Sequence, residues 1–423
     1  MSYVSKLLTS RLRSGLLTIA LMLIIAATAT AYPNRLWNHR HNPALFSTGN
    51  RPVVDVGFSA SPSLQNSYLT TDQIFQPTLV IDFEDIYASI GRGGYKVGAN
   101  LGIGAHLVAH INDIGAGVYV DADNMFRVTL PSGLLGFLAD GFEMNTQYTE
   151  RAQVILRSFI EYGSYASYHW EPYTFGAKIG KYIPLAYTTN GTAEYSFLAE
   201  EDGRIEATAS INSQLYSAID LEDPGTIDPL QALTGPGGLK VDLGVVYNPT
   251  RNRPLWGLSF TNIPLYAPII AHGWSYTGSA GAHSDGILDA LGSDDELFEV
   301  EDPVNDFSKL EDVDRRIFMP FRAGGFYRYS DLDVIDIITH GGITLADPFR
   351  VDLGAMVEGS EFPFSIFSLG MGYRDLAWRT QLGFRFDARV VELGLQIGTS
   401  SPEFAGILST RGLSVNFMMA FGY

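Results

Sequence analysis

Apolar residues alternate with small or polar ones along most of this chain, and the run at its C-terminus shows the pattern most fully. Leu413, Val415, Phe417, Met419, Phe421 and Tyr423 are interleaved with Gly412, Ser414, Asn416, Met418, Ala420 and Gly422. A repeat of two marks a strand with one greasy and one thin face, because successive side chains leave a pleated backbone on opposite sides. The pattern recurs at Val54–Phe58, Tyr95–Leu107 and Leu239–Tyr247, and four times from Val351 to Ile397. The run from Tyr95 to Leu107 is long enough to cross a bilayer at barrel tilt, which takes about 9–11 residues. Short turns join the C-terminal runs, so they read as antiparallel neighbours. One face of these strands carries Arg, Glu and Gln; the other carries almost no charge.

The opposite end of the chain narrows the setting. Lys6, Arg11 and Arg13 precede an apolar stretch from Leu16 to Ala27, and Ala29-Thr30-Ala31 stands before Tyr32. That order is the pattern of a cleaved secretory signal over residues 1–31. No Cys occurs at the cleavage position, which excludes a lipoprotein anchor. No later stretch has the ~18 consecutive apolar residues of a helical span. An exported chain of this kind is a soluble periplasmic protein or a closed barrel. Hydropathy does not separate the two, because alternating strands average to neutral. The 44 Gly, the 12% aromatic content and the terminal Tyr423 favour the barrel. The expectation is therefore an all-β protein, a transmembrane antiparallel β-barrel of about 14 strands (range ~14–16). It would sit in the bacterial outer membrane, in contact with its lipid. Residues 32–52 would be an N-terminal segment and residues 53–423 the barrel.

Two stretches depart from the alternation. Over residues 132–162, Leu134, Leu135, Leu138 and Phe142, and then Ala152, Ile155, Leu156, Phe159 and Ile160, recur at helical spacing. This predicts a small helical insert, either a cap or a plug in the lumen. Over residues 281–316, Asp294, Asp295, Glu296, Glu299, Glu301, Asp302, Asp306, Glu311, Asp312 and Asp314 face only Lys309 before the arginines at 315–316. That reads as a solvated acidic loop. Its spacing lacks the alternating-carboxylate pattern of a calcium loop.

Composition excludes several activities. With no Cys, disulfides, thiolate metal sites and Cys nucleophiles are absent. A formal charge of −18 opposes nucleic-acid binding, which needs Lys and Arg against phosphates. The G-x-S-x-G, H-E-x-x-H and phosphate-loop patterns are missing. His39 and His41 flank Arg40 without an evident third metal ligand. No catalytic residue, metal or cofactor is expected, and the protein is not read as an enzyme.

Near the mature N-terminus stands Asn42-Pro43-Ala44-Leu45, shortly before the first strand. An Asn-Pro-Ala motif in that place resembles the FadL superfamily of outer-membrane barrels, which includes PorV-like secretion-associated relatives. The strand–turn–strand stretch from Gly238 to Asn262 and the stretch from Tyr173 to Pro184 resemble the same group. The resemblance implies a 14-stranded barrel whose N-terminal segment folds inward as a hatch, here Asn42, Pro43 and Ala44. The segment from Tyr32 to Arg51 is short for a full hatch. The resemblance also implies a gap in the wall through which an apolar ligand leaves. Gly98, Gly102 and Gly104 are the candidates for that gate, since Gly weakens a strand ladder. Arg350, Arg374, Arg379, Arg385 and Glu392 fall on the polar strand face and are candidate lumen-lining residues. The resulting expectation is a channel for passive uptake of small hydrophobic, fatty-acid-like molecules. The alternative is a plugged, non-transporting barrel that anchors or assembles with an envelope protein partner.

Overall fold

The computed structural model describes residues 42–422 apart from 48–52, 71–81, 91–93, 142, 202–203, 221–232, 250–253, 271, 285–298, 301–303, 312, 331–334, 347–348, 360–364, 375–376, 389, 402–403, 405 and 408–410. The expected signal peptide and the His39/His41 pair lie outside the described residues.

A short 3₁₀ turn, Pro43–Ser47, precedes the sheet. Strands β1 (Val54–Asn66), β2 (Tyr95–Ile111), β3 (Ile114–Leu130) and β4 (Tyr148–Trp170) pair in succession, antiparallel throughout. Strand β5 (Tyr173–Ala199) pairs with β4 and divides its other edge. Its first part, Tyr173–Tyr182, pairs with β7 (Gly238–Tyr247), and its last part, Tyr187–Ala199, with β6 (Ile205–Ser217). Strand β8 (Trp256–Tyr266) pairs with β7 and leads through β9 (Ile269–Ile270) into β10 (His272–Ser284), which pairs with β6. After β11 (Glu299–Val300), β12 (Val304–Lys309) pairs with β10. The chain then passes through β13 (Arg315–Arg316), partner of β9, to β14 (Phe321–Tyr329), partner of β8. A meander follows: β15 (Ile335–Leu345), β16 (Arg350–Gly359), β17 (Ser365–Arg374), β18 (Ala377–Asp387), β19 (Val391–Ser401) and β20 (Gly412–Gly422). Strand β20 pairs with β1 and closes the barrel.

Sixteen of these strands have nine residues or more, the upper end of the expected range of about 14–16 and two above its central value. The excess arises because two crossings are each broken in two, β6 then β7 and β8 then β10. Prolines sit at the level of the break: Pro184 on β5, Pro264 on β8, and Pro268 and Pro320 beside it. A proline has no N–H to donate to a ladder, so it interrupts pairing. The Pro184 carbonyl instead accepts from the Ala218 amide at 2.8 Å, just past the end of β6. Phe159, Tyr182, Ile183, Tyr216, Ala218, Ile270 and Ile317 fill the break as one buried apolar cluster.

The barrel is inverted relative to a soluble protein. Lys178 and Asp242 are 2% and 1% exposed, whereas Phe367 and Leu382 are 55% and 63% exposed. Leu101, Ile103, Val118, Ile179, Leu243, Val357 and Leu395 are exposed in the same way. Exposed apolar residues on this scale, on most of the wall strands, form a surface for lipid, with the polar face turned to the lumen. A cation placed outside should therefore be costly. Leu382→Arg is expected to destabilise the barrel by about 2–4 kcal/mol if the position lies near the bilayer midplane. Urea unfolding in lipid vesicles would check this, and an unchanged midpoint would contradict a lipid-facing wall.

The helical insert expected over 132–162 is confined to its first part. Helix α1 (Phe83–Ile90) and helix α2 (Ser132–Asp140) are the described α-helices, and the Tyr87 ring of α1 lies against Gly136 of α2. From Tyr148 the chain is strand, so Ala152, Ile155, Leu156, Phe159 and Ile160 belong to β4. Pairing of β4 with β5 shifts register between Val154 and Arg157 and again between Ser158 and Phe159. A register irregularity of this kind displaces the inward–outward alternation. Here it mimics a spacing of three or four. The acidic stretch 281–316 is likewise part strand: it contains the end of β10, then β11, β12 and β13.

Candidate functional site

The lumen is occupied from the end at which β1 starts and β20 finishes. Asn42 is 3% exposed, and its side chain reaches the wall: Nδ2 donates to the Leu258 carbonyl at 3.1 Å and to the Val245 carbonyl at 3.4 Å. Its Oδ1 accepts from the Ala44 amide at 3.0 Å, and its own carbonyl accepts from the Leu45 amide at 3.1 Å. These bonds wind the chain into the 3₁₀ turn, and Pro43 supplies a fixed φ within it. Three wall glycines make the approach feasible. A Cβ on Gly176 of β5 would collide with the Pro43–Ala44 backbone, and one on Gly244 of β7 with Asn42 Oδ1. One on Gly257 of β8 would stand 3.1 Å from Asn42 Nδ2. Ala44 and Leu45 pack on Val246 and Phe326. The Phe46 ring stacks on Tyr165 at 3.8 Å between centroids, and the Phe46 carbonyl lies 3.1 Å from His110 Nε2.

Next to this turn lies a buried charge network. Lys178 of β5 stands 2.9 Å from Glu161 of β4 and 3.7 Å from both Asp121 of β3 and Asp242 of β7. It also sits 3.7 Å over the Tyr119 ring, whose hydroxyl donates to Glu161 at 2.5 Å. Lys240 of β7 reaches Glu161 at 2.7 Å and Asp242 at 3.3 Å, and donates to Asn262 Oδ1 at 2.6 Å. Asn262 holds a left-handed backbone (φ 60°), which Asn tolerates better than most residues. Its amide N–H donates to Asp242 and its side chain to the Pro320 carbonyl. The network thereby ties the strands on both sides of the break together. Around the rest of the wall, Arg322 pairs with Asp352 at 3.1 Å, and Arg328 pairs with Asp336 at 2.9 Å and with Glu358 at 3.3 Å.

Some of these groups line a cavity of about 320 Å³ in the lumen. Asp121, Asp123, Arg157, Glu161, Lys178 and Lys240 line one side, and Arg322, Arg350, Arg374 and Arg379 the other. Arg350 extends across it to within 3.5 Å of Met125 Sδ on β3. Phe159 and Met319 belong both to the cavity lining and to the apolar packing that fills the break in the wall. The cavity therefore has a charged body and an apolar corner.

The residues singled out in the sequence distribute unevenly over this geometry. Asn42, Pro43 and Ala44 form the inserted turn; a full hatch is not present among the described residues. Arg350, Arg374 and Arg379 line the cavity, while Glu392, 2% exposed, lies on β19 two strands from Arg374 and next to the strand of Arg385. Gly98, Gly102 and Gly104 lie on β2, which pairs with β1 and β3 without a register shift. Gly102 lines the cavity, and the discontinuity of the wall is at β5 instead. Sequence reading missed Glu161, Lys178, Lys240, Asp121 and Asp242, which become one cluster only through strand register. It also missed the break, which the prolines inside strand-like runs at Pro184 and Pro264 signal.

No protein-family profile and no curated protein matches the chain. Among solved structures, the toluene transporter TodX of Pseudomonas putida is similar over 90% of this chain and 92% of its own, at 10% identity and a TM-score of 0.46. A Pseudomonas aeruginosa FadL homologue is similar over 94% of this chain and 97% of its own, at 11% identity and a TM-score of 0.43. The likeness is structural. A TodX variant described as a monoaromatic hydrocarbon channel gives a similar result, at 10% identity and a TM-score of 0.45 over 94% of this chain and 97% of its own.

Proposed function

We propose that this protein is a channel of the bacterial outer membrane through which small hydrophobic molecules, fatty-acid-like ones included, pass by diffusion. The observation that carries this reading is the break in the wall where β5 changes partners. It is filled by apolar side chains that are continuous with the luminal cavity through Phe159 and Met319. On the outer surface beside it, Leu265, Tyr266, Ile269 and Phe318 are exposed. An apolar solute in the lumen thus has a greasy route toward lipid that does not cross an intact strand ladder. The inserted Asn42–Ser47 turn serves as a short hatch at the other end. Without an energy source, net flux follows the solute gradient, and affinity comes from apolar contacts with a few orienting polar groups.

Ala218 is 2% exposed within the apolar cluster. Ala218→Trp overfills that space, at a cost of about 1–3 kcal/mol in a packed site, and should obstruct the route. Cells carrying the wild-type barrel are expected to take up a labelled hydrophobic solute severalfold faster than cells without it. The Trp variant, matched for folded protein in the outer membrane, should lose most of that gain. Uptake equal to that of cells lacking the protein would remove this reading and leave a plugged barrel.

A further inference from the structure

The wall is one chain thick where the break is closed. Residues 313–320, which include β13 and lead into β14, cross it as a strap. Their side chains alternate: Val313, Ile317 and Met319 join the apolar cluster, while Arg316 and Phe318 are exposed on the outer surface. Met319 and Pro320 also line the luminal cavity. The strap thus has the cavity on one side and the exterior on the other.

Among the described residues, few bonds hold this strap. Its backbone pairs with β9 over two residues, Arg315 with Ile270 and Arg316 with Ile269. The Pro320 carbonyl accepts from Asn262 Nδ2 at 2.8 Å. Pro320 has no N–H to give to a ladder, and the pairing of β14 with β8 begins only at Arg322. The opposite bank is stiffer, since Phe159 and Ile183 sit on β4 and β5, which pair with each other along most of their length.

Two tyrosines clasp the strap. Tyr182 of β5, 1% exposed, donates its hydroxyl to the Ile317 carbonyl at 3.0 Å. Its ring lies over Gly238 of β7, where a Cβ would collide with it. Tyr216 of β6 faces the Arg315 guanidinium, 4.8 Å from the ring centroid, and Nη1 donates to the Tyr216 hydroxyl at 3.5 Å.

We propose that residues 313–320 are the moving element of a lateral gate and that the Tyr182 hydroxyl is its latch. An apolar solute leaves the cavity when the strap swings away from β9 and β5. What passes rests on the channel reading above; the motion itself can be measured without a solute. A segment with a two-residue ladder opens far more readily than a strand paired on both edges, because local opening breaks only the bonds of the element that moves. Losing one ordinary hydrogen bond shifts such an equilibrium about two- to tenfold.

The test uses the full mature protein, in intact cells for uptake and in a neutral detergent for labelling. The chain has no Cys, so introduced thiols are unique. Ile269→Cys with Arg316→Cys joins directly opposed residues of β9 and β13, whose spacing suits a disulfide. Leu369→Cys with Leu382→Cys, opposed on β17 and β18, is the control. Oxidation of the first pair should reduce uptake of a labelled hydrophobic solute to that of cells lacking the protein, and a thiol reductant should restore it. The control pair should leave uptake unchanged. Labelling reads the strap alone. Ile317 is 2% exposed, so the thiol of Ile317→Cys meets a maleimide only when the strap opens. Adding Tyr182→Phe should speed that reaction about two- to tenfold. Gly238→Ala, which displaces the Tyr182 ring, should act in the same direction and stands in should Tyr182→Phe fail to fold; heat-modifiable gel mobility confirms that each variant is folded. Wild-type uptake that the oxidised β9–β13 pair leaves unchanged overturns the gate and keeps the channel reading. Equal labelling with and without Tyr182→Phe overturns the latch. Labelling accelerated by Tyr182→Phe in a barrel without uptake keeps the latched strap and removes the channel reading.

Discussion

Lys178→Met is expected to lower the stability of the folded barrel by about 3–5 kcal/mol, the usual cost of deleting one partner from a buried ion pair. Lys178 is 2% exposed and faces three carboxylates, Glu161, Asp121 and Asp242. With Met in its place, Lys240 alone would remain beside Glu161 and Asp242, and the cluster would carry excess negative charge away from bulk water. The loss should appear as a lower urea midpoint with an unchanged slope. The exposed pair of Lys309 with Asp220, 3.0 Å apart, is the control. Lys309→Met should shift stability by no more than about 1 kcal/mol, because solvent screens such pairs. A Lys178→Met/Glu161→Gln double variant should recover part of the single-variant loss, since the two residues share one network. Equal effects at Lys178 and Lys309 would show that the network does not hold the barrel together.

Gly244→Val is expected to expel the inserted turn. The added Cβ would collide with Asn42 Oδ1, and the wall strand behind it is paired on both edges. The turn is the softer element, so it should move. The expected loss combines about 1–3 kcal/mol of overpacking with the Asn42 bonds to the Val245 and Leu258 carbonyls, each worth about 1 kcal/mol net. Hydrogen exchange of the Ala44 and Leu45 amides, both bonded to Asn42, should accelerate, and small-solute permeability of reconstituted vesicles should rise. Gly359→Val is the matched comparison, because among the described residues a Cβ there meets the Phe367 carbonyl at an ordinary 3.9 Å and nothing closer. Unchanged exchange in Gly244→Val would mean that the turn is not seated on this glycine.

Much of the barrel was legible because its physics is local. Outward residues such as Leu353, Val357, Leu393 and Leu395 show the two-residue period directly, and neighbouring strands joined by short turns pair in order from β15 to β20. Legibility failed where register slips. At β4 the shifts around Val154–Phe159 replace alternation by a helix-like spacing, and a strand was read as a helix. At β5 one edge serves two partners, and the count became sixteen instead of fourteen. The gate candidates failed to meet the break for a related reason. Gly102 keeps its N–H and its place in a β2 that is paired on both sides, while proline at 184 removes a donor outright.

The sequence by itself determined a membrane-type β-barrel with a polar lumen and an apolar exterior. It also placed an Asn-Pro-Ala element ahead of the first strand and charged side chains on the inward faces. Those properties depend on which side of one strand a residue occupies, and alternation encodes that directly. Only the tertiary structure decided which charges meet. Lys178, Glu161 and Lys240 come from three strands, and Asn42 finds its carbonyl partners more than 200 residues away. Pairing between distant strands depends on register and closure, which are set by the whole ring and not by any one segment.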